Sequence, residues 1–260
     1  MALATFRFYA DLNDFLPARW RHESFHYPAY DGTQSIKHLI ESIGVPHTET
    51  ELIVVNGQPK DFTYLVQSGD RISVYPAFSS SDIRPPISLR PPLPNPVRFL
   101  LDNHLGKLAR YLRLLGFDTL YFNNKFDDAQ LAQLAQDEGC ILLTRDRGLL
   151  KRGQVVYGYC LRSKDAQEQV LAVLHRFQIT DQIDAWRRCL RCNGRLRPVA
   201  KERILDRLQP KTKLYYHQFQ ICETCSQIYW KGSHFKRLEK FLQEIAAAES
   251  TQNNRGDRLA

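Results

Sequence analysis

Four of the six cysteines in the 260-residue sequence stand in two close pairs. Cys189 and Cys192 form the first pair and Cys222 and Cys225 form the second, with two residues inside each pair and 29 between the pairs. Two thiolates at this spacing can bind one metal ion, and two such pairs supply the ligands of a tetrahedral Zn²⁺ site. Four sulfur ligands leave no position for a substrate, so the spacing predicts a structural zinc. Disulfides are the alternative, and they are typical of secreted proteins.

Three aspartates could bind a different kind of ion. Asp102 directly follows the predicted strand 97–101, Asp146 follows the apolar run 140–143 through Thr144 and Arg145, and Asp128 stands near the start of a predicted helix. If both runs are strands of one parallel sheet, the carboxylates lie at its carboxyl edge, where ligands bind in open α/β sheets. Carboxylate oxygens suit Mg²⁺ or Mn²⁺, which can activate water against a phosphodiester. For any one aspartate, a helix cap or a turn is the alternative.

Basic residues cluster next to these aspartates and could contact the phosphates of a nucleic acid. They are Lys107, Arg110 and Arg113 on the first predicted helix, and Arg145, Arg147, Lys151 and Arg152 around Asp146. A solvated basic surface is the alternative. The net positive charge is concentrated towards the C-terminus, where residues 181–260 carry 16 basic and 9 acidic side chains. Aromatic residues lie among these basic ones, a combination that suits single-stranded RNA, although the rings could also form a small core.

Elements that could position the aspartates alternate between strand and helix. We predict strands at 97–101, 119–122, 140–143 and 155–157, and helices at 105–115, 127–138 and 166–177. This alternation is typical of βαβ units and predicts a parallel sheet.

The first 78 residues predict a separate small domain. Strands at 5–9 and 24–27 precede a helix that Ser35 can cap, and strands at 52–55 and 71–75 follow it. This order resembles the ubiquitin-like β-grasp fold of small sulfur-carrier proteins. Sulfur carriers end in a free Gly-Gly carboxylate, whereas here the last strand continues through Pro76. We therefore expect a binding module with a protein partner rather than an activated sulfur carrier.

A proline-rich segment follows the module. Residues 79–96 contain six of the 13 prolines, which predicts a semi-rigid spacer. The segment separates a module with 6 basic and 9 acidic side chains in residues 1–80 from a basic remainder. We expect a fragment that begins near Pro96 to fold alone.

Residues 99–118 and 142–150 resemble the two leading motifs of the PIN-like ribonuclease domain first named from the C-terminus of the exonuclease Mut-seven. The segment 229–234, Tyr-Trp-Lys-Gly-Ser-His, resembles the end of the same domain. This resemblance implies metal-dependent cleavage of RNA, with Asp102 and Asp146 as metal ligands and Asp128 as a third. It also makes Lys231 and His234 candidate RNA contacts. The usual fourth acidic residue of PIN nucleases has no clear match.

The sequence thus predicts an α/β protein in five parts: a ubiquitin-like β-grasp domain (1–78), a proline-rich linker (79–96), a PIN-like RNase domain with a parallel sheet (97–185), a zinc ribbon (186–240) and a polar tail (241–260). The expected function is a ribonuclease that uses Mg²⁺ or Mn²⁺, with the ribbon aiding RNA binding. A non-catalytic RNA-binding adaptor with a vestigial acidic site is the alternative.

No stretch reaches the roughly 18 apolar residues of a membrane span, and no secretory signal is apparent, so we expect a cytoplasmic protein.

Overall fold

The computed structural model describes residues 2–29, 33–78 and 85–232, so His234 and the predicted tail lie outside the described residues. The chain divides into two compact units. The first comprises Met1–Leu112 and Phe117–Ile183, and the second comprises Arg113–Gly116 and Asp184–Ala260.

The first unit begins with a five-stranded β-grasp sheet in the order β2-β1-β5-β3-β4, in which β1 and β5 are parallel. Its elements are β1 (Ala2–Phe8), β2 (Ser24–Ala29), α1 (Ile36–Ile43), β3 (Leu52–Val55), β4 (Gln58–Lys60) and β5 (Arg71–Tyr75). Ser35 caps α1 by accepting a hydrogen bond from the N–H of His38, and the apolar stripe of α1 is buried. The ubiquitin-like domain is confirmed. The sequence pattern missed β4, because this strand has only three residues and contains Pro59, which normally argues against a strand.

The same unit contains a four-stranded sheet in the order β7-β6-β8-β9, with every neighbouring pair parallel. Its elements are β6 (Arg98–Leu101), α2 (Gly106–Leu114), β7 (Asp118–Tyr121), α3 (Asp128–Asp137), β8 (Ile141–Thr144), α4 (Arg147–Leu150), β9 (Gly158–Cys160) and α5 (Ala166–Phe177). The α/β class and the parallel sheet are confirmed. The strand predicted at 155–157 was misplaced: Val155 closes a turn by donating to the carbonyl of Arg152, and pairing with β8 begins at Gly158.

The β-grasp domain packs against the α/β domain within this unit. Phe15 and Val45 of the former belong to the same hydrophobic cluster as Leu149, Leu150 and Val155 of the latter. The sequence analysis expected residues 79–96 to keep the two domains apart, whereas in the structure the domains share one hydrophobic cluster.

The described part of the proline-rich segment, residues 85–96, is also fixed in place. The Tyr157 hydroxyl donates to the carbonyls of Pro91 and Pro92, at 3.2 and 2.7 Å. Arg90 donates to the carbonyls of Thr48 and Thr50. The segment therefore joins the two domains through hydrogen bonds and does not act as a free tether.

The second unit contains a three-stranded antiparallel sheet in the order β10-β11-β12. Its elements are β10 (Leu196–Val199), α6 (Pro210–Tyr215), β11 (Phe219–Cys222) and β12 (Ile228–Trp230). Residues 186–232 are called the ribbon below. Its buried hydrophobic cluster contains only four side chains, Ile204, Leu208, Phe219 and Ile228. Across both units, none of the helices in the described ranges is long and apolar enough to span a bilayer.

Candidate active site and metal centre

The order of the parallel strands places two predicted site residues together. From β6 the chain continues to β7 on one side and then crosses to β8 on the other side of β6. The carboxyl ends of β6 and β8 therefore form a topological switch point, where open α/β sheets bind their ligands. Asp102 follows β6, and Asp146 lies two residues beyond β8.

The Thr144 hydroxyl connects the two acidic segments. It donates a 2.5 Å hydrogen bond to Oδ2 of Asp102 and accepts a 2.9 Å bond from the backbone N–H of Asp146. Thr144 is fully buried, whereas Asp102 is half-buried and Asp146 is exposed. The buried Thr144 therefore fixes the Asp102 carboxylate, while the exposed Asp146 leaves this edge of the sheet open to solvent.

The carboxylates near this edge differ in their local roles. Asp127 caps α3 in a capping box with Gln130, and Asp128 is the first residue of that helix. The Asp146 carboxylate accepts hydrogen bonds from the N–H groups of Gly148 and Leu149 and thereby caps α4. Asp102, Asp128 and Asp146 are all described residues, and their carboxylate oxygens do not form a group within 4.8 Å of one another.

The predicted RNA-binding residues fall into two groups. Lys107, Arg110, Arg145, Arg152 and Lys231 are exposed, as that prediction requires. Three others, of which Arg147 is also exposed, donate hydrogen bonds to backbone carbonyls of other segments. Arg113 is buried and donates to Leu190 and Arg191, Arg147 donates to Asp14 and Phe15, and Lys151 donates to Glu41. The burial of Arg113 differs from the open phosphate-binding surface that we expected of it, whereas Arg147 is exposed and Lys151 is half-buried.

A further carboxylate, which the sequence analysis did not select, lies at the same sheet edge. Glu49 of the β-grasp domain is 2% exposed and accepts a 2.6 Å hydrogen bond from the N–H of Cys160, the last residue of β9. Arg162 lies 3.6 Å from its other oxygen. Burial raises the pKa of Glu49 above its ordinary value and outweighs the attraction of Arg162 and Arg176. Glu49 is thus part of the interface between the two domains, away from solvent.

The four predicted cysteines meet in the ribbon. Their sulfur atoms all lie within 4.8 Å of one another, with 3.6 Å between Cys189 and Cys225 and 3.4 Å between Cys192 and Cys222. A tetrahedral ion with bonds of about 2.3 Å to sulfur requires sulfur atoms about 3.8 Å apart. All four cysteines are free thiols, so the disulfide alternative is not what the structure shows. The cluster fits a zinc ribbon.

The backbone shapes each cysteine pair in the same way. Asn193 and Ser226, the residues that follow the two pairs, both have left-handed backbone angles, with φ of 68° and 56°. Each donates its N–H to the carbonyl of the first cysteine of its pair. Gly194 is required nearby, because a side-chain carbon there would lie 2.9 Å from Sγ of Cys222.

The Tyr229 hydroxyl favours the thiolate form of Cys189. Burial alone raises the pKa of Cys189, but hydrogen bonds from the Tyr229 hydroxyl and from the N–H groups of Cys192 and Arg191 outweigh it and lower the pKa to about 7. The thiolate is the form that binds metal. Tyr229 lies 3.1 Å from the sulfur and also accepts a hydrogen bond from the N–H of Leu190.

The described residues thus combine a parallel α/β sheet with carboxylates at its switch point, a ubiquitin-like domain and a four-cysteine ribbon. Residues 97–242 match the Mut7-C RNAse domain, and residues 1–82 match the Mut7-C ubiquitin domain. The first match covers more than half of the chain, so the protein belongs to the Mut7-C RNase family, and this family membership supports a nuclease.

The exonuclease mut-7 homolog of Homo sapiens is 41% identical over 101 residues, which is 37% of this chain and 12% of that protein. The match therefore spans about an eighth of that relative. No solved structure matches the chain.

Proposed function

We propose that this protein is a ribonuclease that cleaves RNA phosphodiesters with Mg²⁺ or Mn²⁺ held by Asp102 and Asp146. The observation that carries the proposal is the placement of both aspartates at the switch point, joined through Thr144. Asp128, at the start of α3, is the proposed third ligand. A bound divalent ion would supply Lewis-acid stabilisation of the phosphate and a more acidic water.

The surrounding side chains support a polyanionic substrate. Lys107, Arg110, Arg145 and Arg152 are exposed in the same domain as the aspartates. The ribbon adds 11 basic side chains against three acidic ones in residues 186–232. Phosphate contacts of this kind hold a nucleic acid without reading its sequence. In the proposal, zinc bound by the four cysteines stabilises the ribbon, and the ribbon aids RNA binding.

One observation favours a second candidate function, a non-catalytic RNA-binding adaptor. The Asp146 carboxylate already caps α4, and the three aspartates do not converge within 4.8 Å. In an adaptor the basic surfaces would bind RNA and the acidic edge would have only structural roles.

An experiment with the full chain separates the two functions. End-labelled single-stranded RNA is incubated with the protein in Mn²⁺ or in EDTA, and the products are resolved on a denaturing gel. Asp102→Asn and Asp146→Asn keep the side-chain shape but remove charge, so we expect cleavage to fall at least about 100-fold, or ~3 kcal/mol in the barrier. RNA binding should persist, because repulsion of the phosphates decreases.

The matched control is Asp137→Asn. Asp137 is an exposed carboxylate at the far end of α3, and its replacement should leave cleavage unchanged. Binding of RNA by the wild-type protein without metal-dependent cleavage would support the adaptor instead.

A further inference from the structure

The second unit contains a groove of about 950 Å³. This volume lies within the range of sites that bind a small molecule or a nucleotide. Its lining includes four aromatic side chains, Trp186, Phe219, Tyr229 and Trp230, and the basic or titratable side chains Lys201, His217 and Lys231. All of these residues belong to the second unit, so the groove is a feature of this unit alone.

Contacts beneath the groove hold two of the aromatic rings. Trp230 is 37% exposed, and its ring centroid lies 6.4 Å from that of the buried Phe219 and 6.3 Å from that of Tyr216. The Tyr229 hydroxyl is fixed by Cys189 and by the N–H of Leu190. The metal-binding cluster and the small ribbon core therefore position rings at the groove without closing it.

Trp186 has an unusual backbone for so large a residue. Its φ is 73°, in the left-handed region, where side chains other than glycine, asparagine and aspartate are rare. Its N–H donates to the carbonyl of Leu114, which helps to hold this conformation. Strained backbone of this kind persists where the surrounding structure enforces it and concentrates at ligand sites.

The net positive charge of the ribbon favours an anionic ligand in the groove. Its residues 186–232 carry 11 basic and three acidic side chains. Lys201 and Lys231 lie at the groove, and Glu202 is the acidic residue in its lining. Aromatic rings beside ammonium groups suit a chain of flat bases joined by phosphates, because each base can stack on a ring while the phosphates meet positive charge.

We propose that this groove binds unpaired bases of single-stranded RNA, with bases stacked on Trp186 and Trp230 and phosphates beside Lys201 and Lys231. The proposal rests on RNA being the substrate and names the part of the ribbon that holds it. Double-stranded RNA keeps its base faces stacked inside the helix, so the groove should discriminate against it.

The test measures binding of a fluorescein-labelled 12-nucleotide oligoadenylate by fluorescence anisotropy. The full chain carries Asp102→Asn, so that bound RNA stays intact, and no divalent ion or chelator is added. We expect Trp186→Ala and Trp230→Ala each to weaken binding roughly 5- to 100-fold, the range for loss of one base-stacking ring. Trp230→Phe keeps a ring and should recover most of the affinity.

Tyr215→Ala is the matched control. Tyr215 is 68% exposed, belongs to the same ribbon and does not line the groove, so its loss should change the affinity little. Zinc content and circular dichroism verify that each variant is folded. If Trp230→Ala unfolds the ribbon, Trp186→Ala and Trp230→Phe still decide the question.

The possible outcomes separate this inference from the proposed function. Folded tryptophan variants that bind the oligonucleotide as tightly as the parent would overturn the groove as an RNA site, even if the wild-type chain cleaves RNA. Equal loss of affinity in Tyr215→Ala, or equal affinity for double-stranded RNA, would also overturn it. Failure of the wild-type chain both to bind and to cleave RNA would overturn the proposed function as well.

Discussion

The four cysteine sulfurs lie within 4.8 Å of one another, whereas the Asp102 carboxylate and the backbone N–H of Asp146 are connected through the hydroxyl of Thr144. The cysteine cluster can supply all four ligands of a tetrahedral ion, which leaves no position for a substrate. The acidic edge supplies few ligands and is open to solvent, and hard cations commonly complete their shell with water and substrate phosphates. The difference separates a site that stabilises a fold from a site that can accept a reacting group.

The largest effect on stability is expected at the four-cysteine cluster. Cys225→Ser should release the metal and unfold the ribbon, because a structural zinc contributes about 10–16 kcal/mol of apparent binding free energy to folding. A buried cluster of only four side chains cannot replace that contribution. Elemental analysis and limited proteolysis measure the outcome, with the buried Cys140→Ser as the control that keeps the metal. Full zinc content in folded Cys225→Ser would contradict the assignment.

A smaller effect is expected at Glu49, the buried carboxylate at the same sheet edge as Asp102. Glu49→Ala should lower the free energy of unfolding by about 2–3 kcal/mol, because the N–H of Cys160 loses its partner in a buried site. Urea denaturation measures the change, and the exposed Glu23→Ala should alter it little. Equal stability of these two variants would show that Glu49 does not hold the domains together.

The pH dependence of the free energy of unfolding should show that burial raises the pKa of Glu49. Its folded pKa is raised from 4.5 by burial, so the folded protein keeps the proton to higher pH than the unfolded chain does. Stability contributed by this group is fully present below about 4.5 and is lost as the pH rises through the folded pKa. Glu49→Gln lacks this titration. The wild-type free energy of unfolding minus that of Glu49→Gln should therefore fall as the pH rises above about 4.5, and a constant difference would contradict a raised pKa.

The smallest effect on stability is expected at Thr144. Its hydroxyl forms hydrogen bonds with Asp102 and Asp146 and is not itself an acidic ligand. Thr144→Val removes the hydrogen bonds to Asp102 and Asp146, so cleavage should fall about 10-fold, as for other groups that orient metal ligands. Stability should change by only about 1 kcal/mol. Thr144→Ser retains the hydroxyl and should keep most of the activity. Cleavage at the wild-type rate by Thr144→Val would remove this residue from the site.

Local sequence patterns predicted the elements well where they are long or capped. The helix Ala166–Phe177 has its predicted bounds, and Asp127 caps α3 as its position before an apolar stripe indicates. Patterns failed where an element is short: β4 has three residues, and β9 begins at Gly158, three residues later than the predicted start at Val155. In both cases pairing with a neighbouring strand, which no local pattern reports, sets the bounds.

The contacts between the domains could not be predicted at all. Glu49 meets Cys160, and Nε2 of His47 lies 2.9 Å from the carbonyl of Val155, across more than a hundred residues of sequence. Charge counting likewise cannot tell Arg110, which is exposed, from Arg113 three residues later, which is buried against backbone carbonyls. The cysteine cluster was predictable because two close pairs of thiolates have few other uses in a chain without disulfides.

The most direct test of the central claim is binding of Mn²⁺ to the full, zinc-loaded chain, measured by electron paramagnetic resonance of the free ion. We expect the wild-type protein to bind Mn²⁺, and Asp102→Asn and Asp146→Asn to lose the tightest binding while keeping their zinc and their folded stability. Equal Mn²⁺ binding by all three proteins, or no binding by a wild-type protein that still cleaves RNA, would contradict a divalent-ion site at the carboxyl ends of β6 and β8.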